Sequence, residues 1–469
     1  MHTYQDLLEV IESGKDTAKF IYEAILKHES SDDFKFAKEA NEYYKQKNTT
    51  IRNYERILFE VTGKAVRDDF SPNYKLASNF FYRFITQENQ YLLGNGVTFD
   101  VKTVKNKLGT PRYDFDKQLQ KAGKYALTEK VSFGFWNLDH IDVFKFTEFV
   151  PLFDEETGAL RAGIRYWQLD KDKPLRATLY EEDGYTEYKW DDKTLVDTSE
   201  VIKNKTAYVI NGTYNDADGF EITDGRNYPS FPIVPLWAND SHQSSLVGIR
   251  EQIDCYDLIK GGFANTVDEA SIIYWTLQNA GGMDEVDLRE FVERIRKLHA
   301  ATVDDEVKAE SHTIEAPYQS REALLDRLRA DLYEDAMALD TKALASGGSV
   351  VTAVIKAAYE PLNNKVDDYE YCVRDFIDSI MELAGIESEY SFTRSKLLNQ
   401  QEDISVVVSA AEYLPSDYIT EKILTILGDG DQLTEILKQM SNEELSMIET
   451  EVNDNAIDNN DNGINIDEE

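Results

Sequence analysis

The chain has 469 residues and is strongly acidic: 88 Asp and Glu stand against 50 Lys and Arg, which gives a formal net charge of −38. A hydrophobic content of 42%, with 12% aromatic residues, is typical of globular proteins and excludes general disorder. Tight binding along nucleic acid is disfavoured over most of the surface, because that affinity comes from cationic side chains. The length is enough for roughly two to four compact units, each with its own core.

The cysteine count and the hydropathy pattern indicate where the chain is made. Cys255 and Cys372 lie in helical patterns without CxxC spacing, which favours buried, reduced thiols over a disulfide or a metal site. The acidic N-terminus does not resemble a secretory leader, and no apolar stretch approaches the roughly 20 residues that a membrane-spanning helix needs. We therefore expect cytoplasmic synthesis and no membrane segment.

Residues 1–130 predict helices. Apolar residues recur at helical spacing through about 1–60, and an aromatic-rich helix is predicted at about 73–93. This helix is expected to end at Gly94, since glycine readily takes the positive φ found after many helices. A further helix is predicted at about 114–130.

From Val131 to Tyr228 the pattern changes to that of paired strands. Phe144 and Phe146 alternate with polar neighbours, as in a half-buried strand. Turn-forming sequences separate the strands and predict a run of hairpins. These sequences are Asp154–Gly158, Glu182–Gly184 and Asp216–Gly219. The last one lacks the ligand series of a Ca²⁺ loop, which favours a simple turn.

The second half of the chain opens with a proline-spaced segment, YPSFPIVPLW at 228–237. Its prolines force an extended backbone. A recognition peptide is one interpretation, and a stiff connector into the next domain is the favoured one. Helical patterns follow over about 245–268, 286–299 and 321–340.

A very long helical pattern runs over 355–383 and ends at Gly385. Apolar residues follow 3-4 spacing along it, and Pro361 must either kink this helix or mark its start. A coiled-coil partner, a helical bundle or identical neighbours in a ring would each explain the apolar seam. Residues 395–448 predict two or three shorter helices, and the acidic end from Ser441 predicts a solvated tail.

The sequence contains no recognisable catalytic or nucleotide-binding motif. Gly94-Asn95-Gly96 lies after a helix and before a strand, the reverse of the order in a dinucleotide-binding loop, and is interpreted as a structural turn. The six histidines form no zinc-binding pattern, and the nucleophile-elbow, P-loop and deaminase motifs are missing. We therefore predict a protein that is not an enzyme and needs no cofactor.

One segment matches a metal site formally. DNNDNGINIDEE at 458–469 fits the Ca²⁺-loop pattern through Asp458, Asn460, Asn462 and Glu469. It lacks the usual apolar pairing residue and an exit helix, so a chance match in an acidic tail is favoured. Any Ca²⁺ binding there is expected to be weak.

The order of these elements resembles the bacteriophage portal proteins, of the siphovirus type found in phages of Gram-positive bacteria. Four segments carry the resemblance: the helix and turn NFFYRFITQENQYLLGNGVTF, the strand and helix FPIVPLWANDSHQSSLVGIREQIDCYDLIKGGFANTVDE, the helix LLDRLRADLYEDAMALD with its glycine loop, and the long helix after it. Each segment alone is a weak motif, and their order and spacing over residues 40–400 are the specific feature. Gly96 stands where proline is common in the family, and the acidic tail matches nothing in it.

The resemblance implies an α+β portal fold. It is mostly helical, with a β-rich wing, a two-helix stem, a clip, a long helix from wing to crown and a helical crown. The implied boundaries are wing 1–240 with its β-rich part at about 131–228, stem helices 241–268 and 319–340, clip 269–318, tunnel loop 341–350, long helix 351–386, crown 387–440 and a disordered acidic tail 441–469.

The resemblance also implies a function, namely a homo-oligomeric ring of about twelve copies at one capsid vertex of the virion. Double-stranded DNA would pass through the channel of this ring during packaging and ejection without tight binding. The implied partners are the terminase large subunit, head-completion or adaptor proteins, and the major capsid and scaffold proteins. The residues expected to face DNA are Lys342, Ser346, Gly347 and Gly348 in the tunnel loop and Lys260, Arg327 and Arg329 in the stem.

Two other functions remain consistent with the composition. One is another virion assembly component, such as a scaffold or tail protein, although scaffolds lack an aromatic-rich β core like that at 131–228. The other is a metal-dependent hydrolase, which would require two carboxylates converging in a pocket.

Overall fold

A computed structural model describes most of the chain. The described residues are 2–59, 63–69, 71–101, 103–191, 199–215, 221–270, 274–278, 286, 289, 308–312, 318–342, 352–395, 404, 407–411, 413–427 and 436–439. The chain divides into two compact units, Met1–Asp340 with Glu360–Ser395 and Thr341–Tyr359 with Lys396–Glu469. Among the described residues, no helix is both long and apolar enough to cross a membrane.

Four helices open the first unit, as the sequence predicts. They are α1 (Tyr4–Glu12), α2 (Thr17–Ser30), α3 (Asp32–Tyr44) and α4 (Thr49–Asn53). Thr3 begins α1 in a capping box with Asp6, and the Ser31 hydroxyl caps α3. The prediction misses a short antiparallel ladder that follows, β1 (Ile57–Phe59) with β2 (Ala65–Arg67).

The aromatic-rich helix, α5, is shorter than predicted, because it begins at Phe80 and ends at Leu93. Residues 72–79 are not helical. Within them, the Ser78 backbone donates its N–H to Asp257 Oδ1 at 2.8 Å, so a tertiary hydrogen bond replaces a helical one. The next elements are β3 (Val97–Phe99), α6 (Val104–Leu108) and α7 (Phe115–Glu129), the last of which confirms a predicted helix.

Residues 131–237 form the predicted run of antiparallel strands. The strands are β4 (Val131–Asn137), β5 (His140–Lys145), β6 (Phe149–Phe153), β7 (Leu160–Trp167), β8 (Leu175–Glu181), β9 (Gly184–Trp190), β10 (Ser199–Thr206), β11 (Val209–Asn215), β12 (Glu221–Arg226) and β13 (Ile233–Trp237). One sheet has the order β10-β9-β8-β7-β6, a second has the order β13-β4-β5, and β11 pairs with β12.

The turns between these strands follow their local chemistry. Gly158 donates its N–H to Asp154 O at 2.9 Å, which confirms the turn predicted there. Glu181 of β8 pairs with Gly184 of β9, so Glu182 and Asp183 make the predicted two-residue connection. The turn predicted at Asp216–Gly219 lies outside the described residues.

Two strand predictions need correction. The strand that contains Phe144 ends early, because Phe146–Glu148 form a 3-10 turn. The proline-spaced segment is not a connector, since its second half is β13 and pairs with β4. Pro235 is tolerated there because β13 lies at the edge of its sheet, where a missing backbone N–H is not costly.

Two hydrophobic cores lie against the sheets. The first packs α1 and α2 on the five-stranded sheet and includes Leu7 and Trp190, both fully buried. The second joins α3 to β4, β5 and β6, and its buried aromatic rings include Phe133, Phe144 and Phe149. Large buried aromatic side chains stabilise such a core strongly, since each removes a large apolar area from water.

The second half of the chain is more helical. Its elements are α8 (Arg250–Ala270), β14 (Tyr274–Gln278), β15 (Lys308–His312), α9 (Tyr318–Asp335), α10 (Thr352–Ala384), β16 (Tyr390–Phe392) and α11 (Ser416–Leu427). Helix α10 is continuous through Pro361, and Gly385 ends it with a φ of +65°, as predicted. The helix predicted at 286–299 lies outside the described residues except for Val286 and Arg289.

The apolar seam of α10 is buried by the chain itself. Val366, Tyr369, Val373, Phe376 and Ile380 are each at most 1% exposed. Two of the predicted explanations of this seam, identical neighbours in a ring and a coiled-coil partner, are therefore wrong. Since they already fill the core of one chain, any contact between copies must use other surfaces.

Two glycines allow α10 to approach its neighbours closely. A Cβ on Gly134 of β4 would lie 2.4 Å from Phe376 Cζ, and one on Gly123 of α7 would lie 2.0 Å from Tyr369 Oη. The Tyr369 hydroxyl donates to Asn89 Oδ1 of α5 at 3.1 Å. Helix α10 thus packs directly on the backbone of a strand and a helix, where no side chain could be accommodated.

Replacing Gly134 by Ala should lower the free energy of unfolding by about 1–3 kcal/mol, because the added methyl group displaces Phe376 and α10. Urea unfolding followed by circular dichroism measures the change. Gly262→Ala is the matched control, since a Cβ at Gly262 meets nothing within 4 Å and stability should not fall. An unchanged Gly134→Ala protein would contradict the close contact, and recovery on adding Phe376→Leu would support it.

Candidate functional site

Helices α8 and α9 form an antiparallel pair. At one end, the rings of Phe263 and Tyr318 lie 5.7 Å apart in an edge-to-face arrangement. At the other end, Gln252 donates a hydrogen bond to Asp335. The pair has the order that the sequence predicts for two stem helices, although α8 begins at Arg250. Its assignment as a stem stays a prediction.

A β ladder lies between the two helices in the chain. β14 pairs antiparallel with β15, so that Tyr274 faces His312 and Gln278 faces Lys308. The described part of the segment therefore has the order helix, strand, two helical residues (Val286 and Arg289), strand, helix. Most of the predicted clip, 269–318, lies outside the described residues.

The buried side of α8 is held by Asp257, whose side chain is fully buried. Its carboxylate accepts the Ser78 backbone N–H at 2.8 Å and the Asn48 side-chain amide. Burial raises the pKa of Asp257 above its ordinary value, while these hydrogen bonds and the nearby Lys260 oppose that shift. Asp257 therefore ties α8 to α4 and to the segment before α5.

A second carboxylate lies one turn earlier on α8. Asp254 accepts the Tyr43 hydroxyl at 2.5 Å and the Thr50 hydroxyl at 2.8 Å. Another turn earlier, Arg250 pairs with Glu39 at 2.9 Å. The spacing of 250, 254 and 257 places all three on one helix face, and this face lies on α3 and α4.

The end of α9 is clamped by one side chain of α5. Gln87 Nε2 donates to the Leu339 carbonyl at 3.1 Å, and the Leu339 N–H donates to Gln87 Oε1 at 2.9 Å. Met337 takes a φ of +51°, which turns the chain sharply after the helix. The clamp therefore fixes the backbone just before the predicted tunnel loop.

The neighbouring Glu88 extends this clamp to α10. It is 3% exposed, and Lys365 Nζ lies 2.8 Å from its Oε2 and donates to the Ala336 carbonyl at 3.2 Å. Sequence reasoning missed this contact, although a signal was present. Glu88 occupies the apolar face of α5 between Phe84 and Leu92, and a lone carboxylate at such a position indicates a buried partner.

The predicted stem cations are engaged in local contacts. Arg329 pairs with Asp340 at 2.7 Å, stacks 5.0 Å from the ring of Tyr333, and is 22% exposed. Arg327 is 75% exposed and pairs with Asp331 of the same helix. Lys260 lies 5.9 Å from the ring of Tyr256 on α8, near Asp257. Of the two arginines, Arg327 alone has a largely exposed side chain.

The predicted tunnel loop is described only at its start. Thr341 and Lys342 are exposed, while Ser346, Gly347 and Gly348 lie outside the described residues. The two residues also belong to the second compact unit. Contact between Lys342 and DNA stays a prediction.

Gly94, Asn95 and Gly96 form a structural turn. Gly94 keeps a helical φ of −62°, and Gly96 takes a φ of +73°, so the glycine that needs its conformational freedom is the second one. A Cβ on Gly96 would lie 2.6 Å from Asp116 Oδ2. Asp116 accepts the Val97 N–H at 3.0 Å and pins β3 after the turn.

Among the described residues, no group of three or more His, Cys, Asp or Glu side chains could hold a metal ion. The Ca²⁺ candidates Asp458, Asn460, Asn462 and Glu469 lie outside those residues. The predicted burial of both thiols is wrong for Cys255, which is exposed. Burial and nearby aspartates raise the pKa of Cys372 to about 11, so that thiol is a poor nucleophile.

Asp257→Ala should lower the free energy of unfolding by about 2–4 kcal/mol, because it leaves the Asn48 and Ser78 donors buried without an acceptor. The pKa of Asp257 is higher in the folded chain than in the unfolded chain. The free energy of unfolding therefore falls as the pH rises from the unfolded pKa through the folded pKa, because Asp257 becomes ionised. Urea unfolding at pH 7 measures the loss in the variant, and the loss should be larger at a lower pH, where Asp257 is protonated in the folded state. Glu251→Ala, on the exposed side of α8, is the control and should cost less than about 0.5 kcal/mol.

Lys365→Met should lower the free energy of unfolding by about 3–5 kcal/mol, because it leaves the Glu88 carboxylate buried without its cation. Adding Glu88→Gln should restore most of the loss, since no buried charge remains. Lys356→Met changes an exposed lysine of the same helix and serves as the control. Equal stability of the Lys365 and Lys356 variants would show that the buried pair does not stabilise the clamp.

Comparisons with known proteins identify the family of the chain. A family model described as "Phage portal protein, SPP1 Gp6-like" matches residues 23–443. The portal protein of Bacillus phage SPP1 is 24% identical over 398 residues, which cover 78% of this chain and 75% of that protein. The portal protein of Clostridium phage phiCD119 is 25% identical over 210 residues, which cover 42% of this chain and 46% of that protein.

A solved structure titled "Neck of native GTA particle computed with C12 symmetry" contains a chain that is 9% identical to this one. The alignment covers 74% of this chain and 89% of that chain, with a TM-score of 0.42. The family assignment rests on the family model, which spans most of the sequence. The chain therefore belongs to the SPP1 Gp6-like family of phage portal proteins, and its place is the portal vertex of the virion.

Proposed function

We propose that about twelve copies of this chain close into a ring whose channel passes double-stranded DNA during packaging and ejection. The antiparallel pair of α8 and α9, with a β ladder between them in the chain, carries this proposal. The helix pair would be the stem of each subunit. The ladder and its neighbours would be the clip, where the terminase large subunit and later the head-completion proteins dock.

The exposure of α9 supports a place for this helix inside an assembly. Of its 18 residues, only Leu332 is buried in the isolated chain. A helix so little covered gains its stability from packing that the single chain does not supply. A ring supplies it, because one side of each stem meets a neighbouring copy and another faces the channel.

The charges of the helix pair suit a conduit rather than a binding groove. Arg329 is partly buried in its ion pair with Asp340, while the exposed Arg327 pairs with Asp331 of its own helix. DNA affinity rises with each phosphate contact, so a wall that offers few available cations would let the duplex slide. Lys342 would then be the cation nearest to the passing phosphates.

Electron microscopy of the purified protein tests the assembly, with rings around a central hole as the expected result. Packaging by the terminase into capsid shells then tests the channel. Lys342→Glu should leave the rings intact and speed DNA translocation by about threefold, because it removes a phosphate contact that retains the duplex. Lys171→Glu, at an exposed turn, is the control and should package at the normal rate.

Two results would contradict the proposal. Compact monomers or open filaments in the micrographs would overturn the ring itself. Normal rings with equal packaging by the Lys342 and Lys171 variants would remove Lys342 from the channel wall.

A further inference from the structure

Helix α7 and the residues before it are basic in an acidic chain. Residues 101–130 contain eight Lys and Arg against three Asp and Glu, whereas the whole chain has 50 against 88. Asp116 pairs with Lys105 at 2.6 Å. The side chain of Asp114 caps the start of α7, and Glu129 is only 1% exposed. The acidic residues of this segment therefore leave most of its positive charge uncompensated.

Three of these cations form a lysine stripe on α7, namely Lys117, Lys121 and Lys124. Their i, i+4, i+7 spacing places them within about 60° of one another around the helix axis and about 4.5 to 6 Å apart along it. Buried residues of the helix, among them Leu119 and Ala126, lie on the opposite side. The stripe therefore points away from the core, and Lys117 is exposed.

A fourth lysine, on β5, meets the stripe at an aromatic ring. The Nζ atoms of Lys121, Lys124 and Lys145 lie 5.9, 4.9 and 5.0 Å from the centre of the Tyr125 ring. Burial lowers the pKa of Lys124, and the neighbouring charges of Lys121 and Lys145 lower it further. A bound anion would offset this repulsion. The stripe, Lys145 and Tyr125 together are named the lysine face.

The stripe is not neutralised by carboxylates, although the chain has a surplus of them. Its three lysines form no ion pair with any residue that the structure describes. Lys145 has a partner in Glu148, at 3.3 Å and 45% exposed. At the end of the same helix, by contrast, Lys130 pairs with Asp33 at 2.6 Å. The lysine face therefore keeps at least three positive charges that are available to a ligand.

The residue type of this face favours nucleic acid over protein as the ligand. Lysine is depleted at protein–protein interfaces, whereas contacts to phosphate supply most of the affinity for DNA. Double-stranded DNA carries one negative charge per about 1.7 Å of its axis, so each lysine of the stripe can meet a different phosphate. Lysine acts as a point charge on phosphate, and phosphate contacts carry no sequence information.

We propose that the lysine face of α7 binds the phosphate backbone of double-stranded DNA without regard to sequence. The site goes beyond the proposed function, because it belongs to a single chain, lies outside the predicted stem and tunnel loop, and needs no ring. The acidic surface of the rest of the chain confines the contact to this face. Since four lysines make few phosphate contacts, moderate salt releases the duplex and the contact is reversible.

Fluorescence anisotropy of a short labelled duplex, titrated with the purified full chain at several NaCl concentrations, measures this contact. The logarithm of the association constant should fall linearly with the logarithm of the salt concentration, with a slope of about −3.6 for four phosphate contacts. Lys121→Gln with Lys124→Gln should make the slope shallower by about 1.8 and weaken binding at low salt at least about tenfold.

The matched control is Lys171→Gln with Lys173→Gln, which removes the same charge from the exposed turn between β7 and β8. Its affinity and its slope should equal those of the unchanged chain. Circular dichroism of both double variants checks that they fold. Equal binding by the two variants would overturn the proposal, and so would a lack of duplex binding by the unchanged chain at low salt.

Competition at constant ionic strength identifies the ligand. A poly-glutamate peptide should displace the duplex poorly at equal charge concentration, because the peptide has a lower charge density than duplex DNA. Equal displacement would assign the face to an acidic protein instead and refute DNA. Displacement by millimolar inorganic phosphate would show a site for a single anion, which also contradicts the proposal. None of these measurements uses rings, so a negative result leaves the ring proposal standing, and compact monomers in micrographs leave the lysine face standing.

Discussion

The position of α8 depends on a carboxylate that the fold removes from water. Transferring a charge into the interior is costly unless hydrogen bonds compensate, and Asp257 receives them from Asn48 and Ser78. Both partners are more than 170 residues away in sequence, so α8 reaches its place only when the N-terminal helices are formed. Helix α9 packs against α8, and β14 follows α8 in the chain, so the positions of α9 and of the β14–β15 ladder depend on α8.

The charge of the chain is balanced locally rather than globally. With a net charge of −38, cations are scarce, and several are used to neutralise carboxylates inside the fold. Lys365 pairs with Glu88, Arg329 pairs with Asp340, and Arg250 pairs with Glu39. The surface that remains is acidic, which favours solubility and discourages adhesion to DNA.

Features set by local chemistry could be predicted from the sequence. The Asp154–Gly158 turn, the end of α10 at Gly385 and the antiparallel strands after Val131 follow from residue types over a few positions. Features set by tertiary contacts could not. The start of α5 is displaced because the Ser78 N–H bonds to Asp257, a partner that no local pattern reveals.

The candidate site shows the same division. The apolar spacing of α10 predicts a buried face, but the pattern does not tell a neighbouring copy from the chain's own β4, and the close contact at Gly134 decides for the latter. The order of the two helices α8 and α9 could be anticipated through the family resemblance, whereas the strands β14 and β15 between them could not. The pairing of Arg329 with Asp340 could not, because an arginine in a helix looks the same whether it is paired or not.

The clamp at Leu339 has a mechanical consequence. Gln87 holds the Leu339 peptide through both of its backbone groups, so the two hydrogen bonds lie side by side and share any tension along the chain. Next to it, Asp340 is paired with Arg329 of α9, so the backbone here has a second tie. Bonds loaded in parallel resist rupture better than bonds that open one after another. The backbone after α9 is thus fixed at two neighbouring points, to α5 at Leu339 and to α9 at Asp340.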